Sequence, residues 1–202
     1  MGGLLGAATA SVLCCAGALG AAAAAAAGAA PVPHAPAPHA IAVCPGASLR
    51  PGAANVAAVD AATLCLIDRV RVAHHVPALR ANRELAAVAA SQVSAMVRWD
   101  YFADVRPGGQ TPLALVFGTH YPVNAAGVSV GQNIGWGTGS YATPARVVSA
   151  WMASAPHRRV MLDGGYRDAG VAATPRVPSV KAGGRRGATY AIEFGLRRFA
   201  RR

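Results

Sequence analysis

Asp104, Gln132, Ser154 and His157 are the side chains whose types and spacing suit chemistry. Ser154 and His157 stand three apart, where a helix should end at Ser154-Ala155-Pro156. A hydroxyl beside an imidazole is the start of a nucleophile–base pair, and Asp104 is an acid available to orient the ring. The surrounding sequence lacks the Gly-x-Ser-x-Gly elbow that exposes such a serine. Gln132 carries an amide, which donates and accepts hydrogen bonds but does not ionise, so it supplies no general base. A tight zinc site needs three or four ligands. Asp104 and His157 supply two and Gln132 is a poor third, so the expectation is no cofactor and, at most, weak capture of zinc. Asp104, Gln132, Asn133 and His157, with Ser154 near them and Trp136, Tyr141 and Trp151 at the flanks, offer the mixture of polar groups and rings that holds sugars or lipid head groups. The residues therefore favour a binding cleft over an enzyme. The competing reading is a hydrolase or metal-dependent enzyme that works through His157.

The elements that must position these groups are legible nearby. Gly131 to Gly137 reads as a short extended segment with glycines where the backbone turns or packs closely. Thr143-Pro144 is a helix start, with Thr to cap and Pro at the first helical position. Val147, Val148 and Trp151 give that helix a buried face, and His157 and Arg158 follow its end at once. Upstream, Asn55 to His74 is predicted helical, with Val56, Val59, Thr63, Leu66, Ile67 and Val70 on one face and Arg69 and Arg71 pointing elsewhere. Val76 to Leu79 breaks it. Asn82 caps a second helix to about Val97, with Leu85, Val88, Ala89, Val93 and Met96 inward and Glu84 in the first turn. Arg98 to Gly109 is a loop anchored by Trp99, Tyr101 and Phe102. Thr111 to Phe117 is a short third helix, and His120 to Ser129 is irregular. Ala169–Ala173 and Ala188–Leu196 read as strands. In the second, Tyr190, Ile192 and Phe194 alternate with Ala191 and Glu193. Pro175 to Gly187 is a polar hairpin loop between them. Helices early and strands late predict an α+β domain with a small antiparallel sheet.

The chain of 202 residues is long enough for one domain with a real core. No Asp, Glu, Lys or Arg precedes Arg50, so the net charge of +11 belongs to residues 50–202. Lys181 is the sole lysine, and an Arg-, Ala- and Gly-heavy composition reflects coding bias in part. Residues 1–30 are apolar and small-residue-rich, as a secretory signal peptide is, although the terminal amine is the only charge ahead of the apolar run. The alternative is an uncleaved membrane anchor, because the stretch is long enough to span. Cys14 and Cys15 do not sit in a lipoprotein box. Residues 31–51 form a Pro/Ala-rich, extended linker whose His34 and His39 are incidental, and 52–202 is the domain. Cys44 and Cys65 are an even pair in an exported chain, which predicts a disulfide. Arg185 and Arg186, and the tail with Arg197, Arg198, Arg201 and Arg202, make basic patches. Outside the cell their natural partners are anionic lipids and cell-wall polymers. No nucleic-acid motif is present, and a secreted or envelope-bound monomer is expected.

One family carries these motifs in this order: Cys65-Leu66-Ile67-Asp68-Arg69-Val70-Arg71, Leu79-Arg80-Ala81-Asn82, Tyr101-Phe102, Gly131-Gln132-Asn133-Ile134, Trp151-Met152, Pro156-His157-Arg158, Gly170-Val171, Tyr190 and Phe194-Gly195. From about Cys44 to Phe199 the chain resembles the CAP superfamily of cysteine-rich secretory, antigen 5 and pathogenesis-related 1 proteins, and most of all its bacterial SCP-like members. The resemblance implies a three-layer α-β-α sandwich and a cleft with histidines and acids. Some members bind divalent metal there; others bind sterols, lipids or glycans, and no general catalytic activity comes with membership. By the same resemblance, Asp104 stands where the family has its first cleft histidine, Gln132 where it has the Glu of Gly-Glu-Asn, and Ser154 where many eukaryotic members have Glu. Of that set His157 alone is kept, which implies a degenerate cleft.

Overall fold

The computed structural model describes residues 43–200. The expected signal peptide, Cys14, Cys15, His34, His39, Arg201 and Arg202 lie outside the described residues. Helix α1 (Val56–Ala73) leads to a two-residue strand β1 (Arg80–Ala81) and then to α2 (Arg83–Arg98). The Asn82 side chain caps α2 by accepting from the backbone N–H groups of Glu84 and Leu85, as its place in the sequence predicts. Next come α3 (Pro112–Phe117), capped by Thr111, and β2 (Gly127–Thr138). A 3-10 turn (Gly139–Ala142) precedes α4 (Pro144–Ala153) and α5 (Ala155–Met161). The chain closes with β3 (Asp168–Thr174), the short α6 (Ser179–Ala182) and β4 (Gly187–Arg198).

The sheet order is β1-β3-β4-β2, with β4 antiparallel to both neighbours and β1 parallel to β3. On one face α2 packs Ala89, Val93 and Met96 against Ile134, Ala172 and Ala191. On the other, Val59 and Ile67 of α1 and Val147 and Trp151 of α4 meet Val171, Tyr190, Ile192 and Phe194. These are the helix–sheet–helix layers of an α+β sandwich, as expected from the order of elements. The α2 layer comes close because Gly170 has no Cβ: one placed there would meet the Ala86 amide nitrogen at 1.9 Å. The predicted disulfide is present between Cys44 and Cys65, with Cα atoms 5.8 Å apart.

Several expectations are corrected. β2 starts at Gly127, inside the segment expected to be irregular, because β4 pairs with it residue for residue from Gly127–Arg198 to Thr138–Gly187. α4 ends at Ala153 with Ser154 as its C-cap, as expected, but a second helix starts at once, and His157 lies in the first turn of α5, which Pro156 helps to start. Thr143 precedes α4 without a side-chain cap bond. Arg71 does not point outward. It is buried, and its guanidinium donates to the carbonyls of Pro77, Met161, Asp163 and Tyr166. Trp99 is exposed and stacks on Tyr101 instead of anchoring its loop in the core. The Pro175–Gly187 connection contains α6. The end of the expected linker is packed: Cys44 is buried and the Ala47 carbonyl accepts from the Ala145 N–H at 3.0 Å. Among the described residues no helix is long and apolar enough to cross a membrane.

Candidate functional site

β2 forms one edge of the sheet, and its successive side chains point to opposite faces. Gln132 therefore turns to the α2 face and Asn133 to the face that α5 covers. Asn133 is buried, and its Nδ2 donates to the His157 carbonyl at 3.1 Å, fastening α5 to the strand. This anchor fixes the first turn of α5 beside the sheet edge. There His157 Nδ1 lies 2.9 Å from Ser154 Oγ. Ser154 is the residue between α4 and α5, so the pair is local, three apart at one helix N-terminus.

Asp104 reaches the same region from the loop between α2 and α3. Gln92, buried on α2, holds that loop by donating Nε2 to the carbonyls of Ala103 and Asp104. Arg106 closes the arrangement, donating to Gln92 Oε1 at 3.0 Å and to Ser91 Oγ at 2.8 Å. Partial loss of water around its carboxyl raises the Asp104 pKa, and His157 opposes the rise. Among the described residues no hydrogen bond joins Asp104 to His157 or Ser154, so the three do not form a relay.

On the α2 face Gln132 stands directly opposite Glu193 of β4, and its Nε2 donates to Glu193 Oε1. Glu193 is fully buried. Burial, with a smaller push from the Asp104 charge, raises its pKa to about 7 against the opposing Gln132 bond and the Arg106 charge. Two oxygen atoms here are buried without a partner, Gln132 Oε1 and Glu193 Oε2; Asn133 Oδ1, also unpaired, lies on the opposite face of the strand. Sequence reasoning singled out Gln132 and missed Glu193. The alternation in Ala188–Leu196 placed Glu193 opposite the apolar face of its strand, which reads as solvent-facing in a two-layer domain. Its signal was register: β4 is central and covered on both faces.

Sequence reading thus named groups that the fold does bring together, Ser154 with His157 and Asn133 with the α5 backbone, with Asp104 in the same region. It left out the buried acid under Gln132. Trp151 is core, donating Nε1 to the Ile134 carbonyl at 2.8 Å, whereas Trp136 and Tyr141 are exposed. Among the described residues no three of His, Cys, Asp or Glu gather as ligands, and the amide at 132 binds its neighbour instead. A groove of about 580 Å³ lies elsewhere, between the end of α2 and Thr174 and Arg176, and none of these polar residues lines it.

A three-layer α+β sandwich around a small four-stranded sheet is the fold of the CAP domains. The profile of the cysteine-rich secretory protein family matches residues 64–178, and the chain belongs to that family. Among solved structures it is similar to an outer surface protein from Borrelia burgdorferi, at 16% identity and a TM-score of 0.54, over 67% of this chain and 90% of that one. It is also similar to an extracellular SCP-domain protein from Bacillus anthracis, at 20% identity and a TM-score of 0.50, over 72% of this chain. The match spans 40% of the length of that second protein. At these identities the likeness concerns the fold. Compared with curated protein sequences, the chain has no match.

Proposed function

We propose that this protein is a non-enzymatic binding module, exported to the cell envelope or beyond, whose cleft takes a ligand rich in hydrogen-bond donors, such as a cell-envelope glycan or the head group of a lipid. One observation carries the reading: on the α2 face of the edge strand the half-buried Gln132 leaves its Oε1 without a protein partner, and Glu193 Oε2 beside it is likewise unpaired. A buried acceptor without a donor costs roughly 1–3 kcal/mol, and a ligand presenting hydroxyl or amide N–H groups recovers that cost on binding. Export is supported by the disulfide and by the extracellular and outer-surface proteins that share the fold.

The enzyme reading has one observation in its favour, the Ser154–His157 contact. Against it stand the local origin of that contact, the absence of a hydrogen bond from Asp104 to the ring, and an amide where a general base would serve. Calorimetric titration with soluble peptidoglycan fragments and with a lysophospholipid separates the two. The module reading expects saturable binding that falls about tenfold in Gln132→Ala, which deletes an acceptor worth about 1.4 kcal/mol, and that survives Ser154→Ala. Turnover of an ester or glycoside probe that is lost in both Ser154→Ala and His157→Ala would replace it with the enzyme reading.

A further inference from the structure

The exposed charge is divided unevenly between the two ends of the sheet. At the end where β2 and β3 begin, Arg80 and Arg197 lie against buried Asp168, and Arg83 pairs with Glu84. At the other end, where α2, β2 and β3 finish and β4 starts, Arg98, Arg146, Arg176, Lys181, Arg185 and Arg186 are all exposed. None of these six is in a salt bridge among the described residues. The sequence has 8 acidic residues; Asp100 lies in the segments that build this end, and the half-buried Asp60 of α1 reaches the Ala173 backbone near the end of β3. The Asp100 carboxylate already accepts from the Val180 N–H at 3.0 Å.

These segments are tied together. The Asp100–Val180 bond joins the end of α2 to α6. Thr189 Oγ1 donates to the Arg176 carbonyl at 2.8 Å, and the Gly139 N–H donates to the Arg186 carbonyl at 3.4 Å. The Arg146 guanidinium sits 5.8 Å from the centre of the Tyr141 ring, beside the end of β2. On the same end three apolar side chains stand in water: Trp99 is 51% exposed, Val180 62% and Tyr141 68%.

We propose that this end of the molecule is a docking face for a bilayer carrying anionic phospholipid. The pairing of unbalanced cations with exposed aromatic tips selects that partner. Each Lys or Arg near an anionic leaflet adds about 1 kcal/mol of attraction, and Trp and Tyr settle at a boundary that is apolar on one side and wet on the other. A soluble polyanion satisfies the cations but gives Trp99, Val180 and Tyr141 no apolar phase to enter. The face is separate from the cleft and stands whether or not the cleft binds a glycan. It also gives the cleft a position. Gln132 and Trp136 share one face of β2, four residues and about 13 Å apart, so a docked molecule holds its cleft close above the head groups.

The test is sedimentation of the full chain with phosphatidylcholine vesicles, with and without phosphatidylglycerol. The residues before Val43 are common to every variant, so their contribution cancels. Arg176→Glu/Arg185→Glu/Arg186→Glu is compared with Arg69→Glu/Arg83→Glu/Arg159→Glu, which changes net charge equally on other exposed positions. Circular dichroism verifies that each variant is folded. The expected result is a preference for anionic vesicles that weakens with salt. It should drop about tenfold or more in the first triple variant and much less in the second. Trp99→Ser/Tyr141→Ser should weaken partitioning and abolish the blue shift of tryptophan emission on binding. Equal loss in both triple variants, no preference for anionic vesicles, or capture of soluble poly(glycerol phosphate) that ignores the aromatic substitutions would overturn the proposal.

Discussion

A carboxyl group in the middle strand of a sheet makes stability depend on pH, and Glu193 is such a group. Its pKa in the folded protein is about 7, above the unfolded value of 4.5, with burial as the main cause. The folded state therefore holds the proton more tightly than the unfolded state. The associated stability is fully present below about pH 4.5 and is lost as pH rises through about 7. Asp60, which burial also lifts from 3.8 to about 7, pushes in the same direction. Glu193→Gln keeps the shape and an acceptor for Gln132 but removes the titration. Urea unfolding at pH 5 and pH 8 should show the wild type losing stability between the two and the variant losing less, a difference on the order of 2 kcal/mol. Equal losses in both proteins would mean that Glu193 ionises as freely folded as unfolded. The sequence pointed to Gln132 because an amide within a glycine-rich strand is visible by itself. Glu193 matters through what lies above and below it, and alternation along one strand tells which face a side chain takes, not whether that face meets water.

Between elements, the sequence spoke clearly wherever a helix buries one stripe. The faces of α1, α2 and α4 follow from apolar spacing, and Val59, Ile67, Val88, Val93, Val147 and Trp151 are buried as that spacing requires. It was silent where a distant partner decides. The first half of β2, with Gly127, Ser129 and Gly131, has weak strand propensity, and it is extended because β4 pairs with it along its whole length. Arg71 lies off the apolar stripe of α1, yet it is buried because carbonyls 90 and more positions later in the chain surround its guanidinium. It is the clamp that holds the end of α5 and the approach to β3 against the end of α1. Arg71→Met fills similar volume but leaves the carbonyls of Pro77, Met161, Asp163 and Tyr166 without their donor. The expected cost is about 3 kcal/mol or more, read as a lower midpoint in denaturant, with protease cutting first between α5 and β3. A midpoint within error of the wild type would mean that water replaces the guanidinium at no cost and that α5 is held by the Asn133 bond alone.

At the scale of the whole molecule, the disulfide ties the segment before α1 into the helical layer. Cys44 and Cys65 close a loop across a sequence separation of 21, which joins the segment before α1 to α1 itself. The Ala145 N–H bonded to the Ala47 carbonyl carries the same segment onto the start of α4, so three parts of one layer share this corner. In the unfolded chain the bridge removes freedom worth roughly 3 kcal/mol for a loop of this size. In the folded chain it adds a covalent tie to a Pro- and Gly-rich stretch that is otherwise ordered by turn hydrogen bonds and the Ala47–Ala145 bond. Cys65→Ser should lower unfolding stability by about that amount while leaving the circular dichroism of the folded domain unchanged, because Cys65 lies on a helix that its apolar face already secures. The wild-type protein reduced with dithiothreitol should match the variant, since both lose the same constraint. Material made in a reducing cytosol should carry the same deficit and recover it on oxidation. Mass analysis of the protein recovered without reductant should find Cys44 and Cys65 linked, and free, alkylatable thiols at both positions in that material would remove both the constraint and the reason to tie this fold to an oxidising compartment.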